Sequence, residues 1–387
     1  MLVGILAVGT VGLLLFSGLG STPPNLSQPE VKTIHSSKSL KNIVSHPVNA
    51  TYLLPEHFLR SWNKNSLTTL RLLSGIYGLV YLAIFFLVLK FWEDTTTAVI
   101  GTILLATSAW FLNVSRLATP DILMMSIIAL IACGLWLKHT LRRNLIVLIC
   151  AVGAAMSLYV PGLIWFVLGG IIWQHRTVKY ELSRSKRSSI AIATILLLLI
   201  AAPFILSSAE HLDTLLTGLG LPLKWPGPTQ LVKNLYHIPE SVFYRSTLDP
   251  VRHLANLPFL DVFEDTMFVL GTYVFWKYRN LSRSRILFSV TILSILLITL
   301  GGGVSYTILL PIVYITITVG ILYMWKAWSD VFPKNPFART AGLALIMLAL
   351  VLSCNYQLRR YFTAWNNAPE TKAVFDQRAS ISDTIKM

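Results

Sequence analysis

Asn113-Val-Ser-Arg116-Leu-Ala-Thr-Pro120-Asp121 sets an arginine and an aspartate between two long apolar runs. A charge beside hydrocarbon is costly unless it is paired or working, so both residues are functional candidates from the outset. The flanking runs, Thr97 to Leu112 and Ile122 to Trp136, read as membrane helices with Arg116 in the short link between them. Thr119, Pro120 and Asp121 then supply the cap, the first-turn proline and the first-turn acid of the second helix. On this reading Arg116 and Asp121 meet at one membrane face.

The composition agrees with a lipid solvent. The 387 residues are 54% hydrophobic and 13% charged, with a mean hydropathy of +0.64, which describes an all-α polytopic membrane protein. The net charge of +15 would suggest nucleic acid in a soluble domain. Here the Lys and Arg cluster in short links between apolar runs, where they set orientation, so no nucleic-acid partner is expected. Cys133 and Cys150 fall inside apolar runs and Cys354 at the end of another, a spacing that gives neither a metal site nor a disulfide framework.

Runs near the spanning length number about eleven: 2 to 19, 67 to 92, 97 to 115, 121 to 138, 144 to 159, 161 to 174, 188 to 207, 263 to 277, 285 to 302, 304 to 325 and 339 to 355. The first lacks a basic leader and an A-x-A-like cleavage site, so it reads as a retained helix. Four basic links, Lys138/Arg142/Arg143, Arg176 to Arg187, Lys277 to Arg285 and Lys326 to Arg339, fall on one side of this count. The positive-inside rule makes that side cytoplasmic, with the amino terminus inside and the carboxyl terminus outside. One membrane domain thus covers 1–387, with a first extracytoplasmic loop at 20–66, a large one at 208–264 and a tail at 356–387. Gln230 to Phe243 and Asp249 to Leu257 are long enough for short interfacial helices.

Two stretches resemble a known family. Leu70-Arg71-Leu-Leu-Ser-Gly-Ile-Tyr-Gly-Leu and Thr102 to Asp121, ending Ser-Arg-Leu-Ala-Thr-Pro-Asp, are similar to the membrane core of the glycosyltransferase 39-like proteins. That group holds the protein O-mannosyltransferases, is similar to the lipid A aminoarabinose transferases, and has the GT-C fold. The likeness follows the order of elements along nearly the whole chain, including Leu257-Pro258-Phe-Leu-Asp261 and Tyr361-Phe-Thr-Ala-Trp365. It implies an acid in the first outward loop, a second acid opening the fourth helix, and a polyprenyl-phosphate-linked sugar as donor. The family's adjacent Asp-Glu pair after the first helix is missing, and only Glu30 fits that place.

Moving a sugar from a lipid phosphate to a hydroxyl needs a base, positive charge for the departing phosphate, and a groove for the isoprenoid tail. Glu30, behind a Ser27 cap, is the candidate base, against a reading as a helix-start acid. Asp121 is a second catalytic candidate, as acceptor or orienting group, against simple stabilisation by the helix dipole. Arg116 either holds a phosphate oxygen or pairs structurally with Asp121. Arg71 either binds substrate or snorkels to headgroups. Lys224, Arg245, Arg252 and His253 are candidate phosphate contacts in the large loop, although each taken alone is more often a surface residue. Tyr306 follows Gly301-Gly-Gly303, and in the family a similar Tyr borders the donor groove; a plain tight turn is the alternative. His35, His46 and His57 form no ligand pattern. No cofactor is therefore expected; the aminoarabinose branch implies a divalent metal, for which these residues give no support.

The reading favoured by these residues is an inverting membrane glycosyltransferase that acts outside the membrane on a lipid, polysaccharide or protein acceptor. A non-catalytic GT-C-like scaffold that binds lipid-linked glycan or a partner protein is the alternative, favoured by the missing acidic pair. A transporter would need broken helices with charges near mid-membrane, and the span centres carry almost none.

Overall fold

The computed structural model describes residues 2–62, 66–139, 143–246, 250–254 and 256–375. Among the described residues the chain is helical, without a strand. Each run expected to span is helical, although the count of eleven crossings is not reached on length. Five helices are long and apolar enough to cross a bilayer: Leu67–Trp92, Arg187–Glu210, Ser282–Leu300, Tyr306–Val331 and Pro336–Trp365. A bent pair of helices brings the number to six when taken as one span, and three more apolar helices are shorter. The chain is a multi-pass membrane protein. The tail expected beyond 356 continues as a π-helical turn, Arg360–Trp365, and the helix Pro369–Phe375; 376–387 lie outside the described residues, as do Arg142 and Asp249.

The bent pair is Thr95–Thr107 and Ala109–Arg116, which meet at 65°. Ser108 ends the first with extended backbone and caps the second, its hydroxyl accepting from the Phe111 amide. The Ala109 amide, orphaned by the break, donates to Gln357 Oε1 in the last long helix at 3.4 Å. No ionisable side chain sits between Thr95 and Ser115, so the break steers Arg116 sideways and does not expose a charge at mid-membrane.

Packing in the bilayer rests on close approach of backbones. Val262–Lys277 and the helix Leu310–Val331 form the most intimate pair in the bundle. A Cβ on Gly271 would lie 1.9 Å from the Thr316 carbonyl oxygen, and one on Gly320 would lie 1.9 Å from that of Met267. Only glycine permits this crossing.

The basic links share one end of the molecule. Lys186 N donates to Asn144 Oδ1, Arg283 reaches the Trp92 carbonyl and the Glu93 carboxylate, Lys326 lies in the field of Glu93, and Arg285 stacks on Trp173. At the opposite end gather the first loop, the 116–121 link, the 208–261 loop and the turn 360–365, joined by contacts such as Trp365 Nε1 to the Pro250 carbonyl at 2.8 Å. Pro228–Pro239 forms a helix continued by the π turn Glu240–Tyr244. Of the second interfacial helix, expected over 249–257, the described residues 250–254 and 256–257 are turns and bends instead: Phe259 N donates to Ser241 O and Ser246 N to Leu257 O, which brings this stretch back on the π turn.

Candidate functional site

Glu30 sits in the first turn of the helix Gln28–Ser36, where its carboxylate reaches back to the Ser27 amide at 2.9 Å, half of a capping box. The side chain is fully buried. Oε2 also accepts from Ser27 Oγ at 3.0 Å and Arg71 Nη2 at 3.2 Å; Oε1 accepts from Arg71 Nε at 2.8 Å and the Ala118 amide at 3.0 Å. A carboxylate has about four lone-pair positions, so five donors leave none for a reacting hydroxyl. Burial alone would raise its pKa, but the charge and hydrogen bonds of Arg71, with the Ser27 and Ala118 amides, outweigh it and hold Glu30 below the usual carboxylate range.

Arg71 is equally committed. Nη1 donates to the carbonyls of Leu19 (2.9 Å) and Pro23 (2.6 Å), Nη2 to that of Asn25 (2.7 Å), and the remaining N–H groups to Glu30. It is buried and wraps the loop after the first helix, and does not snorkel to headgroups.

Arg116 does not meet Asp121. The bent span turns its side chain to the C-terminal carbonyls of the helix Leu2–Phe16 and just beyond: Leu14 at 2.6 Å, Leu15 at 3.2 Å and Ser17 at 2.7 Å. Its Nε donates to Tyr361 Oη, and the guanidinium lies over the Tyr361 and Phe362 rings. A cation on the negative end of a helix is a stabilising arrangement.

Asp121 pairs instead with Arg252, Oδ2 to Nη2 at 3.0 Å, with side chains 17% and 44% exposed. Thr119 caps only through its backbone, and Pro120–Met125 is a 3-10 turn that precedes the helix Ser126–His139. Against that turn packs a second one, Tyr306–Leu309. Half-buried Tyr306 leads it and points an edge at Phe259, 6.2 Å between centroids. The site is thus an accessible carboxylate, an accessible guanidinium and a phenol on adjoining turns. Glu30 is bound to Ala118, three residues before Asp121, a reach of at most about 11 Å between Cα atoms.

The other expected residues fall around this group. His253, next to Arg252, is buried edge-on against Phe259 at 4.6 Å, with Nε2 beside Arg360 Nη2. Burial, then the Arg360 charge, holds its pKa well below that of a free imidazole, so it carries no charge for a phosphate. Arg245 is exposed and bonded to Asn256 Oδ1. Lys224 is exposed before the helix Pro228–Pro239.

Two clusters were not legible as clusters in the sequence, where Glu56 stands only as a fallback base should Glu30 fail. Tyr52, Glu56 and Arg60 recur at four-residue spacing on one face of Ala50–Trp62, a signal that was present. Glu56 is 1% exposed and neither oxygen has a hydrogen-bond partner. Burial, partly offset by Arg60, raises its pKa to about 8. The second cluster is long-range: buried Glu264 accepts from Tyr314 Oη at 2.8 Å and Gln357 Nε2, while Asp261 accepts from the Ser353 hydroxyl. Among the described residues no three His, Cys, Asp or Glu side chains are grouped to hold a metal ion.

No protein-family model matches the chain, and no curated protein matches it in sequence. Among solved structures, it is similar to ArnT from Cupriavidus metallidurans in the apo state, with a TM-score of 0.51 and 13% identity over 98% of this chain and 77% of that one. The same protein bound to undecaprenyl phosphate gives a TM-score of 0.49 and 15% identity, with equal coverage. The apo likeness establishes the fold: this chain has the GT-C-type architecture that its sequence resemblance implied.

Proposed function

We propose that the chain is an integral-membrane glycosyltransferase that moves a sugar from a polyprenyl-phosphate donor to an acceptor hydroxyl on the extracytoplasmic side, with the basic links facing the cytoplasm, the amino terminus inside and the carboxyl terminus outside. The observation that carries this reading is the accessible Asp121–Arg252 pair at the end opposite the basic links, within an ArnT-like fold. The donor class and the choice of an inverting reaction rest on the Ser-Arg-Leu-Ala-Thr-Pro-Asp resemblance.

In this scheme Asp121, the acid whose carboxylate is open to a substrate, takes the proton of the acceptor hydroxyl as its oxygen attacks the anomeric carbon from the side opposite the leaving phosphate. The bond to phosphate breaks and its electron pair leaves with the lipid. Arg252, with Arg245 and Lys224 on the same loop, supplies the positive charge that the phosphate needs. Tyr306 borders the sugar. Glu30, Arg71 and Arg116 act as fasteners that hold the first loop and the 116–121 link in register, and uncharged His253 packs on Phe259 beside Arg360.

Purified protein offered a panel of labelled polyprenyl-phosphate sugars should transfer label and release polyprenyl phosphate, and Asp121→Asn should not. Donor binding without turnover for every sugar would favour the second reading, a non-catalytic GT-C-like scaffold. The specific observation behind that alternative is that Glu30, the one acid at the family's catalytic position in the first loop, is saturated by its own fold.

A further inference from the structure

A cavity of about 990 Å³ lies inside the half of the bundle nearest the basic links, far from the Asp121 end. Its walls come from the helices Ser126–His139, Arg143–Ser157, Leu163–Trp173, His175–Arg184, Arg187–Glu210 and Ser282–Leu300. The volume is at the top of the range of small-molecule sites, roughly 300 to 1,000 Å³. Glycines keep it open: a Cβ at Gly153, Gly169 or Gly170 would meet nothing within 4 Å. The lining is apolar, apart from a few polar groups near one end. Gln174 is among them, and its Oε1 is buried without a hydrogen-bond partner.

That polar end is framed by charge. His175–Arg184 sends Val178 and Leu182 to the cavity wall and leaves Arg176, Lys179 and Arg184 exposed. The 277–285 link adds Lys277, Arg279, Arg283 and Arg285, with Arg283 itself on the wall. Against these cations the same two segments carry one acid, Glu181, and Glu93 at the adjoining turn pairs with Arg283, which leaves the other six cations in excess. Apolar volume beneath a basic rim is the chemistry of an anionic lipid site between membrane helices.

We infer that this cavity binds a diacyl anionic phospholipid from the leaflet on the basic side, its chains in the cavity and its phosphate among the rim cations. A polyprenyl-phosphate donor is the poorer occupant, because its phosphate has to reach the opposite end of the bundle to meet Asp121 and Arg252. The inference stands apart from the transferase reading.

Cys133 and Cys150 line the cavity, so they report on it directly. In a Cys354→Ala background, purified in detergent, their alkylation by N-ethylmaleimide is followed while dioleoylphosphatidylglycerol, dioleoylphosphatidylcholine or undecaprenyl phosphate is titrated in. Phosphatidylglycerol should slow alkylation saturably, about tenfold at ten times its Kd, with phosphatidylcholine much weaker. Gly153→Phe and Gly170→Phe fill open space, and each should abolish saturable phosphatidylglycerol binding in native mass spectrometry while leaving the melting temperature unchanged. Equal protection by phosphatidylcholine, protection by undecaprenyl phosphate alone, or phosphatidylglycerol binding that survives both glycine variants would overturn the inference.

Discussion

Glu30 and Arg71 lie 2.8 Å apart with both side chains withdrawn from solvent, and between them they tie the first loop to the helix Leu67–Trp92 and to the Ala118 amide. Removing one member of such a pair leaves an uncompensated buried charge, so Arg71→Ala should cost about 3 to 5 kcal/mol. Glu30→Gln should destabilise as well, visible as a lowered melting temperature in detergent. Because folding depresses the Glu30 pKa, its contribution is complete above the ordinary carboxylate range and is lost as the pH falls through the folded value. A fully stable Glu30→Gln protein whose turnover drops by about 10² to 10⁴ would return Glu30 to the role of base.

Asp121 and Arg252 should behave in the opposite way. Asp121 is 17% exposed, and burial raises its pKa against the charge of Arg252, so Asp121→Asn, which removes a poorly solvated charge and leaves an exposed arginine, should change stability by no more than about 1 kcal/mol. Turnover in Asp121→Asn should nevertheless fall by about 10² to 10⁴, and Arg252→Ala should lower kcat/KM for the donor. Parallel measurement of unfolding and sugar transfer separates the two effects; wild-type turnover in Asp121→Asn would eliminate it as the base.

Glu56 gives a pH signature. Its folded pKa of about 8 lies above the unfolded value, so its contribution is fully present below the usual carboxylate range and is lost as the pH rises towards 8. Glu56→Gln should match the parent near pH 4 and be more stable at pH 8, by about 1.4 kcal/mol for each factor of ten by which folding tightens the hold of Glu56 on its proton. Melting curves across that range test it, and identical slopes for parent and variant would assign the titration elsewhere.

The glycine crossing is unforgiving. Gly271→Val or Gly320→Leu forces apart backbones already in contact and should cost about 3 kcal/mol or more. Size-exclusion profiles in mild detergent should broaden or collapse, whereas Gly153→Ala should elute as the parent does.

Orientation is open to direct labelling. Single cysteines replacing the exposed Lys38 and Lys233 should react with an impermeant thiol reagent in intact cells, and one replacing Arg279 should react only after lysis. The reverse pattern inverts the scheme.

Hydropathy alone located the long helices, and the boundaries of Leu67–Trp92 emerge as read, because the apolar run and its polar ends are local properties. The fracture at Ser108 was illegible, since hydropathy runs unbroken through it and the orphaned Ala109 amide is met by a residue 248 positions away. The same limit explains Arg116. Its nearest acid in sequence is Asp121, but its carbonyl acceptors belong to the first helix and Asp121 finds its cation in the large loop. Charged side chains were easy to nominate, while the fastener and the accessible pair were separable only once their partners were visible.

Arg116 also carries a consequence for how the protein is made. Its acceptors at Leu14, Leu15 and Ser17 leave the ribosome before it does, whereas the Tyr361 hydroxyl that helps to complete its shell follows 245 residues later, with the Phe362 ring just behind. Until then the guanidinium sits at the membrane with part of its shell missing. Biogenesis therefore closes as a clasp, the helix Leu2–Phe16 being locked only when the turn Arg360–Trp365 arrives, and a nascent chain halted short of Tyr361 is marked as unfinished by an incompletely satisfied arginine.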